Sequence, residues 1–186
     1  MDNLLTWLDL ETTGLEPSIS DILEIGMIVT TPDLTELTRF HVVTNVAAHT
    51  WRKDLDETVR TMHDASGLWD ESRSFGLPLD QVSDRLTSFL RRDRFVGDWT
   101  VYGSVLAGSS VYWDKGMLAK KFPWTANVFN YRLLDVSTFH ETAKRFWPHI
   151  AAGAPAKRDL HRVLPDLEDS MNYLRYYLEA LKKGAR

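Results

Sequence analysis

The chain has 186 residues, 44% of them hydrophobic, and a formal net charge of −4. This length fits one domain with a sizeable core, so we expect a single domain over residues 1–186. The absence of cysteine excludes a disulfide framework and thiolate chemistry. An acidic balance argues against a long basic nucleic-acid interface, but it is compatible with a short substrate held at a metal. The sequence lacks a signal-peptide pattern and a membrane-length apolar run, so we expect a soluble cytoplasmic protein without a membrane partner.

Hydrophobic patterning in the first half predicts three strands that can form a meander, followed by two helices. The predicted strands are residues 4–10, Asp21–Thr30 and Leu37–Val43, and the predicted helices are Asp54–Met62 and Asp80–Leu90.

The second half alternates predicted strands and helices. In chain order these are a strand at Val101–Ala107, a helix at Asp114–Phe122, a strand at Tyr131–Val136, a helix at Thr138–Trp147, a loop over 148–160 and a last helix that opens at Pro165. A run of strands followed by alternating strands and helices predicts an α/β fold with a mixed sheet and helices on its faces.

The first strand carries two acids within an apolar run. Asp9 and Glu11 are two residues apart, so on a strand both point to the same face with Cα atoms roughly 6–7 Å apart. Two like charges at the end of a buried strand are costly unless a cation lies between them, and a divalent metal is the natural candidate. The alternative is a strand that simply ends at a solvated Thr-Thr-Gly turn.

Three further residues stand out by position. Asp114 lies at the start of a predicted helix, Asp166 lies in the first turn of the last helix, and His161 ends the loop before it. Each has an ordinary explanation alone, since the helix dipole favours an acid in a first turn. Together with Asp9 and Glu11 they supply four carboxylates, which suit two hard cations roughly 3.5–4 Å apart, and a histidine that can deprotonate water.

These residues carry a resemblance to the DEDD exonuclease superfamily, in the subgroup that uses histidine as base. The segment Asp9–Leu15 is similar to its first motif, Asp114 to its second, and His161 with Asp166 to its third. Oligoribonucleases are the most similar members, because the stretches His63–Leu68, Gly108–Asp114 and Tyr131–Thr138 also match. The resemblance covers nearly the whole chain and implies an RNase H-like fold with a five-stranded mixed sheet.

The resemblance also implies roles for individual residues. It implies two Mg²⁺ or Mn²⁺ ions held by Asp9, Glu11, Asp114 and Asp166, with His161 as general base. Leu15 would wedge against the bases, and Ser110, Arg132 and Ser137 match positions that cap the terminal phosphate of a short RNA. Tyr131 matches a tyrosine donated to the neighbouring subunit of a homodimer.

The sequence departs from the family pattern at several positions. Ser109 replaces an asparagine, Thr12 a methionine and Pro165 an acid. Thr58 stands near the place where some oligoribonucleases have a base-stacking tryptophan, and Trp51 or Trp69 could replace that surface.

The leading hypothesis is therefore a two-metal 3′–5′ exoribonuclease acting on very short RNA. Its substrates would be 5′-phosphorylated dinucleotides and its products nucleoside 5′-monophosphates. One alternative is a broader exonuclease on single-stranded DNA or RNA, which the changes at Thr12 and Ser109 motivate. Another is a catalytically silent nucleotide-binding module of the same fold.

Overall fold

The computed structural model describes residues 4–46, 55–91, 101–158 and 160–184. These residues form a five-stranded mixed sheet with strand order β3-β2-β1-β4-β5, in which β1 to β3 are antiparallel and β4 and β5 run parallel to β1. The strands are β1 Leu5–Thr12, β2 Ile22–Thr30, β3 Glu36–Val43, β4 Val105–Gly108 and β5 Leu133–Asp135. The predicted meander and the mixed sheet are confirmed.

Helices cover both faces of this sheet. They are α1 Glu57–Ala65, α2 Leu68–Phe75, α3 Leu79–Leu90, α4 Val111–Lys121, α5 Val136–Phe146, α6 Pro148–Ala152 and α7 Val163–Gly184, with a 3-10 helix at Pro123–Asn127. None of the helices in the described ranges combines the length and the hydropathy that a bilayer crossing requires.

The alternation of side chains along β1 divides the core into two layers. Leu8 and Leu10 pack in a cluster that includes residues of α3 and α4, whereas Trp7 packs against Leu167 and Met171 of α7. Because strand side chains alternate between faces, the acids at positions 9 and 11 share the α7 face with Trp7. The expectation that Asp9 and Glu11 point to one face follows directly from this register.

Several predicted boundaries are wrong for local reasons. β4 begins at Val105 rather than Val101, because residues 101–104 form a turn in which Gly103 has a φ of +78°. β5 ends at Asp135, whose carboxylate accepts the Ser137 N–H and starts α5 at Val136. The helix predicted from Asp54 begins at Glu57 behind the N-cap Asp56, and residue 54 itself lies outside the described residues.

Two helices were not predicted at all. α2 follows Gly67, which adopts a φ of +70°, and it buries Leu68 and Trp69. α6 lies inside the segment predicted as a loop, because Pro148 occupies the first helical turn, where its missing N–H costs nothing. The helices predicted from Asp114 and Pro165 begin earlier, at Val111 and Val163.

The close approach of α7 to the sheet depends on a glycine in β2. A Cβ atom on Gly26 would lie 2.6 Å from both Cβ and Cγ2 of Val163, so an alanine there would have to displace the start of α7. We expect Gly26→Ala to lower the free energy of unfolding by about 1–3 kcal/mol, as overpacking of a core usually does. Urea and thermal unfolding measure this change.

Gly116 provides the matched control for this substitution. It lies within α4 with open space around its Cα, so Gly116→Ala should be neutral or stabilise by about 0.5–1 kcal/mol. Equal unfolding free energies for the two variants would show that the contact between Gly26 and Val163 does not limit packing.

Candidate active site

The first two acids of the site lie at the carboxyl end of the central strand. In the antiparallel pairing of β1 with β2, Asp9 lies opposite Gly26 and Glu11 lies opposite Glu24. Gly26 leaves the space that Val163 fills, and this brings the amino-terminal turn of α7 over β1. The strand register and one missing side chain thus place Asp166, in that turn, near Glu11.

Asp114 reaches the same region from the opposite side of β1. It lies in the first turn of α4 and is buried, and its Oδ1 accepts a hydrogen bond from the backbone N–H of Leu10 at 3.0 Å. Leu10 is the residue between Asp9 and Glu11. This bond therefore fixes the Asp114 carboxylate against the strand segment that carries the first two acids.

His161 completes the cluster from the loop before α7. One ligand atom each of Glu11, His161 and Asp166 lie within 4.8 Å of one another, close enough to share a metal ion. His161 has a φ of +50°, a left-handed conformation that non-glycine residues seldom adopt. The structure thus brings His161 together with Glu11 and Asp166, and Asp9 interacts electrostatically with Glu11, Asp114 and Asp166.

The carboxylates of this cluster are hard to ionise without a cation. Burial raises the pKa of Glu11 to about 8, with further contributions from Asp166 and Glu24. Burial raises the pKa of Asp114 to about 7 and also raises the pKa of Asp9 and Asp166. Closely packed oxygen donors whose charge is not compensated are the donor set that hard divalent cations prefer, so these residues fit such ions.

A second histidine, His63 of α1, contacts this cluster from the protein interior. It is fully buried, its Nε2–H donates to the carbonyl oxygen of Thr12 at 2.9 Å, and its Nδ1 lies 3.8 Å from Oε2 of Glu11. Its Nδ1 has no hydrogen-bond partner among the residues that the structure describes. In the sequence His63 stands out only as part of a stretch that matches oligoribonucleases, and its place beside Glu11 was not predicted, because 51 residues separate His63 from Thr12.

Comparisons with known proteins show which family this chain belongs to. A family model described as Exonuclease (RNase_T) matches residues 6–174. The chain is 34% identical over 179 residues to an oligoribonuclease of Nitrosomonas europaea, with 96% of each chain covered. It is 32% identical over 181 residues to an oligoribonuclease of Tropheryma whipplei, covering 97% of this chain and 94% of that protein. This chain belongs to the oligoribonuclease family of exonucleases.

Solved structures show the fold of this family member. A zinc-bound complex of Escherichia coli exonuclease I with single-stranded DNA superposes with a TM-score of 0.69 at 12% identity. The match covers 98% of this chain but 42% of that chain, so this protein spans less than half the length of the exonuclease. Exonuclease I of Methylocaldum szegediense matches with a TM-score of 0.63 at 17% identity, over 95% of this chain and 40% of that one. The predicted RNase H-like fold is confirmed.

Two of the residues that the oligoribonuclease resemblance assigns to substrate are held together by Asp135. Its Oδ1 accepts the backbone N–H groups of Ser110 and Ser137, each at 2.9 Å, and the two serine hydroxyls lie 3.3 Å apart. Ser110 has a φ of +55°, which turns the chain from β4 into α4. The structure therefore places both hydroxyls side by side at the helix starts that follow β4 and β5.

The other three residues of that set lie on the surface. The Arg132 guanidinium lies over the Tyr131 ring, 4.5 Å from its centroid, and the Tyr131 side chain is 75% exposed. Leu15 is 78% exposed, and its carbonyl oxygen accepts the indole N–H of Trp113 at 3.0 Å. The exposed side chains of Leu15 and Tyr131 are therefore available for contact with another molecule.

The structure shows the surroundings of Ser109, which departs from the family pattern, and of Trp69, a candidate for the missing stacking surface. The Ser109 hydroxyl lies 2.9 Å from that of Ser170 on α7 and accepts a hydrogen bond from Lys157 at 3.3 Å. Trp69 is buried beside Leu68 and Leu23, with its ring nearly perpendicular to that of His63, so the suggestion that it offers a stacking surface is wrong. Trp51, the other candidate, lies outside the described residues.

Proposed function

We propose that this protein is a two-metal-ion 3′–5′ exoribonuclease that hydrolyses very short RNA, chiefly 5′-phosphorylated dinucleotides, to nucleoside 5′-monophosphates. The observation that carries this proposal is the convergence of Glu11, His161 and Asp166, with Asp9 and Asp114 adjoining them on β1 and α4. Membership of the oligoribonuclease family supports it.

In this proposal Asp9, Glu11, Asp114 and Asp166 hold two Mg²⁺ or Mn²⁺ ions. When bound, such ions stabilise the charge that develops on the attacking and leaving oxygens of a phosphoryl displacement. The raised pKa values of these carboxylates support the assignment, since a cation relieves the cost of ionising them.

His161 is the general base of the proposed reaction. An imidazole nitrogen can accept the proton of the attacking water at neutral pH, and the His161 ring lies beside two of the carboxylates that would hold the metals. The water oxygen then bonds to the phosphorus of the terminal phosphodiester, the bond from that phosphorus to the 3′ oxygen of the preceding nucleotide breaks, and the leaving 3′ oxygen takes up a proton from solvent water. The product leaves with a 5′ phosphate.

The preference for dinucleotides is assigned to the Ser110, Arg132 and Ser137 side chains, which would bind the 5′ phosphate, while Leu15 separates the bases. Charge-assisted hydrogen bonds from a guanidinium and two hydroxyls recognise a phosphate monoester. The side-by-side hydroxyls of Ser110 and Ser137 support this assignment.

We further propose that the protein is a cytoplasmic homodimer in which Tyr131 enters the neighbouring subunit's active site. The exposure of this ring at the surface supports the assignment.

A length series tests the substrate assignment. Turnover is measured with 5′-phosphorylated RNA of two, three and seven nucleotides and with matching DNA. We expect kcat/KM to fall steeply beyond two nucleotides, and we expect Arg132→Ala to lower kcat/KM for the dinucleotide by about 10–100-fold while changing the seven-nucleotide value less than about threefold.

The control for that substitution is Arg145→Ala, which removes an exposed arginine paired with Glu141 at the far end of α5. Equal kcat/KM at all lengths in the wild type would favour the broader exonuclease, and tight nucleotide binding without product would favour the silent binding module.

A further inference from the structure

The backbone around His161 is held in an unusual conformation by its neighbours in sequence. A φ of +50° costs a non-glycine residue about 1–2 kcal/mol, so it persists only where surrounding contacts over-determine it. His161 lies on a loop, where such contacts have to come from side chains rather than from a helix or a strand. The residues that follow and precede it supply them.

Arg162, the next residue, supplies the first set of these contacts. Its Nε donates to both carboxylate oxygens of Glu24 at 3.1 Å, and its Nη2 donates to Oε1 of Glu24 at 2.9 Å and to Oε2 of Glu71 at 2.7 Å. Glu24 is only 1% exposed and belongs to β2, where it lies opposite Glu11. The arginine thus ties the His161 loop to the strand beside the catalytic one.

The same carboxylate also fixes the backbone on the far side of Arg162. Oε2 of Glu24 accepts the N–H of Val163 at 3.3 Å, and Oε1 of Glu24 lies 2.6 Å from Nε2 of His41. Glu24 therefore holds the side chain of one residue and the backbone of the next, immediately after His161. With these two residues fixed, the direction of the chain leaving His161 is fixed as well.

A second arginine fixes the segment before His161. The backbone N–H and the Nε of Arg158 each donate to the buried Asp169 carboxylate at 2.8 Å, and its Nη2 donates to the Pro165 carbonyl at 2.6 Å. The loop that carries His161 is thus fixed to α7 through Arg158 and to β2 through Arg162. Of these two arginines, Arg162 is the nearer to His161 in sequence.

We propose that Arg162 is a positioning residue for His161: its fork-shaped pairing with Glu24 stabilises the left-handed backbone that directs the imidazole toward Glu11 and Asp166. This inference rests on the proposed function, in which His161 is the base. Arginine suits the task because its planar guanidinium presents a rigid fork of N–H donors that matches the two carboxylate oxygens, whereas a lysine ammonium binds as a point charge without that fixed geometry.

The test compares Arg162→Met and Arg162→Lys with the control Arg39→Met, which removes an exposed arginine paired with Glu36 and Glu168 on β3 and α7. We expect Arg162→Met to lower kcat on the dinucleotide by about 10–100-fold with KM within about threefold. Arg162→Lys should recover part of the loss, and Arg39→Met should leave kcat and KM unchanged.

A double-mutant cycle separates positioning from a general structural role. If Arg162 acts through His161, Arg162→Met should change kcat less than about threefold in a His161→Ala background. An equal loss of kcat in both backgrounds, or no loss in the wild-type background, would overturn the inference while leaving the proposed function intact. If Arg162→Met does not fold, the double variant Glu24→Gln with Arg162→Gln removes the two paired charges together and takes its place.

A measurement that needs no turnover keeps the two proposals distinguishable. The NMR signal of the His161 ring should be a single sharp resonance in the wild type and should broaden or split in the Arg162 variant but not in Arg39→Met. Unchanged ring signals in the Arg162 variant would contradict the positioning role even if the wild type turned over no RNA.

Discussion

Replacing Asp114 with asparagine is expected to lower kcat on a 5′-phosphorylated diribonucleotide by at least about 10³-fold without unfolding the protein. An asparagine Oδ1 can still accept the Leu10 N–H, so the contact between α4 and β1 survives the change. The variant loses the anionic oxygens needed to hold a metal, and a metal's contribution of several kcal/mol to the transition state corresponds to such a factor.

The free energy of unfolding of Asp114→Asn, unlike its kcat, is expected to stay unchanged or to increase. Because burial raises the pKa of Asp114 to about 7, removal of its charge should leave the metal-free protein at neutral pH as stable as the wild type or more stable. Steady-state kinetics with Mn²⁺ and thermal unfolding in EDTA measure the two effects, with Asp84→Asn on the exposed side of α3 as control. Turnover within a few-fold of wild type would remove Asp114 from the catalytic assignment.

The metal-free protein is expected to lose stability as the pH rises from about 4.5 to about 8. The pKa of Glu11 is raised to about 8 in the folded protein, so between these pH values the unfolded chain releases a proton that the folded protein retains. The unfolded state is therefore favoured as the pH rises, and the Glu11 shift alone corresponds to an upper bound of roughly 5 kcal/mol.

Divalent ions should reverse this trend, because they bind the deprotonated carboxylates. Thermal unfolding in EDTA and in excess Mg²⁺ or Mn²⁺, measured from pH 5 to pH 8, checks the prediction: the stabilisation by metal should grow with pH. Glu24, whose pKa is lowered, acts in the opposite sense at lower pH, and His63, whose pKa burial lowers from 6.5, does so below about pH 6.5, so the range above that value isolates the raised acids. Glu11→Gln should make the metal-free curve less steep without flattening it, because the pKa values of Asp9, Asp114 and Asp166 are raised as well. A wild-type curve already flat in EDTA would contradict the prediction.

The parts of the site that the sequence could predict are those governed by local periodicity. Asp9 and Glu11 share a face because strand side chains alternate, and Asp166 lies in the first turn of α7 as its position near Pro165 indicated. The positions of Asp114 and His161 in motifs similar to those of the family also identified them as candidate site residues. These features depend on short stretches of chain, in which hydrophobic periodicity and helix-start signals are strong.

The parts that could not be predicted depend on contacts between distant segments. The pairing of Arg162 with Glu24 spans 138 residues, and nothing in the local sequence indicates that His161 adopts a positive φ. The place of His63 against Glu11 arises from packing of α1 on the end of β1. Short helices such as α6 also escaped prediction, because five residues give too little periodicity to read.

The most direct test of the proposed active site is product analysis on a single substrate, a 5′-phosphorylated diribonucleotide, with wild type and Asp9→Asn. We expect the wild type with Mn²⁺ to convert it completely to two nucleoside 5′-monophosphates, and we expect EDTA or the substitution to abolish this conversion. No product from the wild type, or equal product from Asp9→Asn, would contradict the assignment of this carboxylate cluster as an exoribonuclease active site.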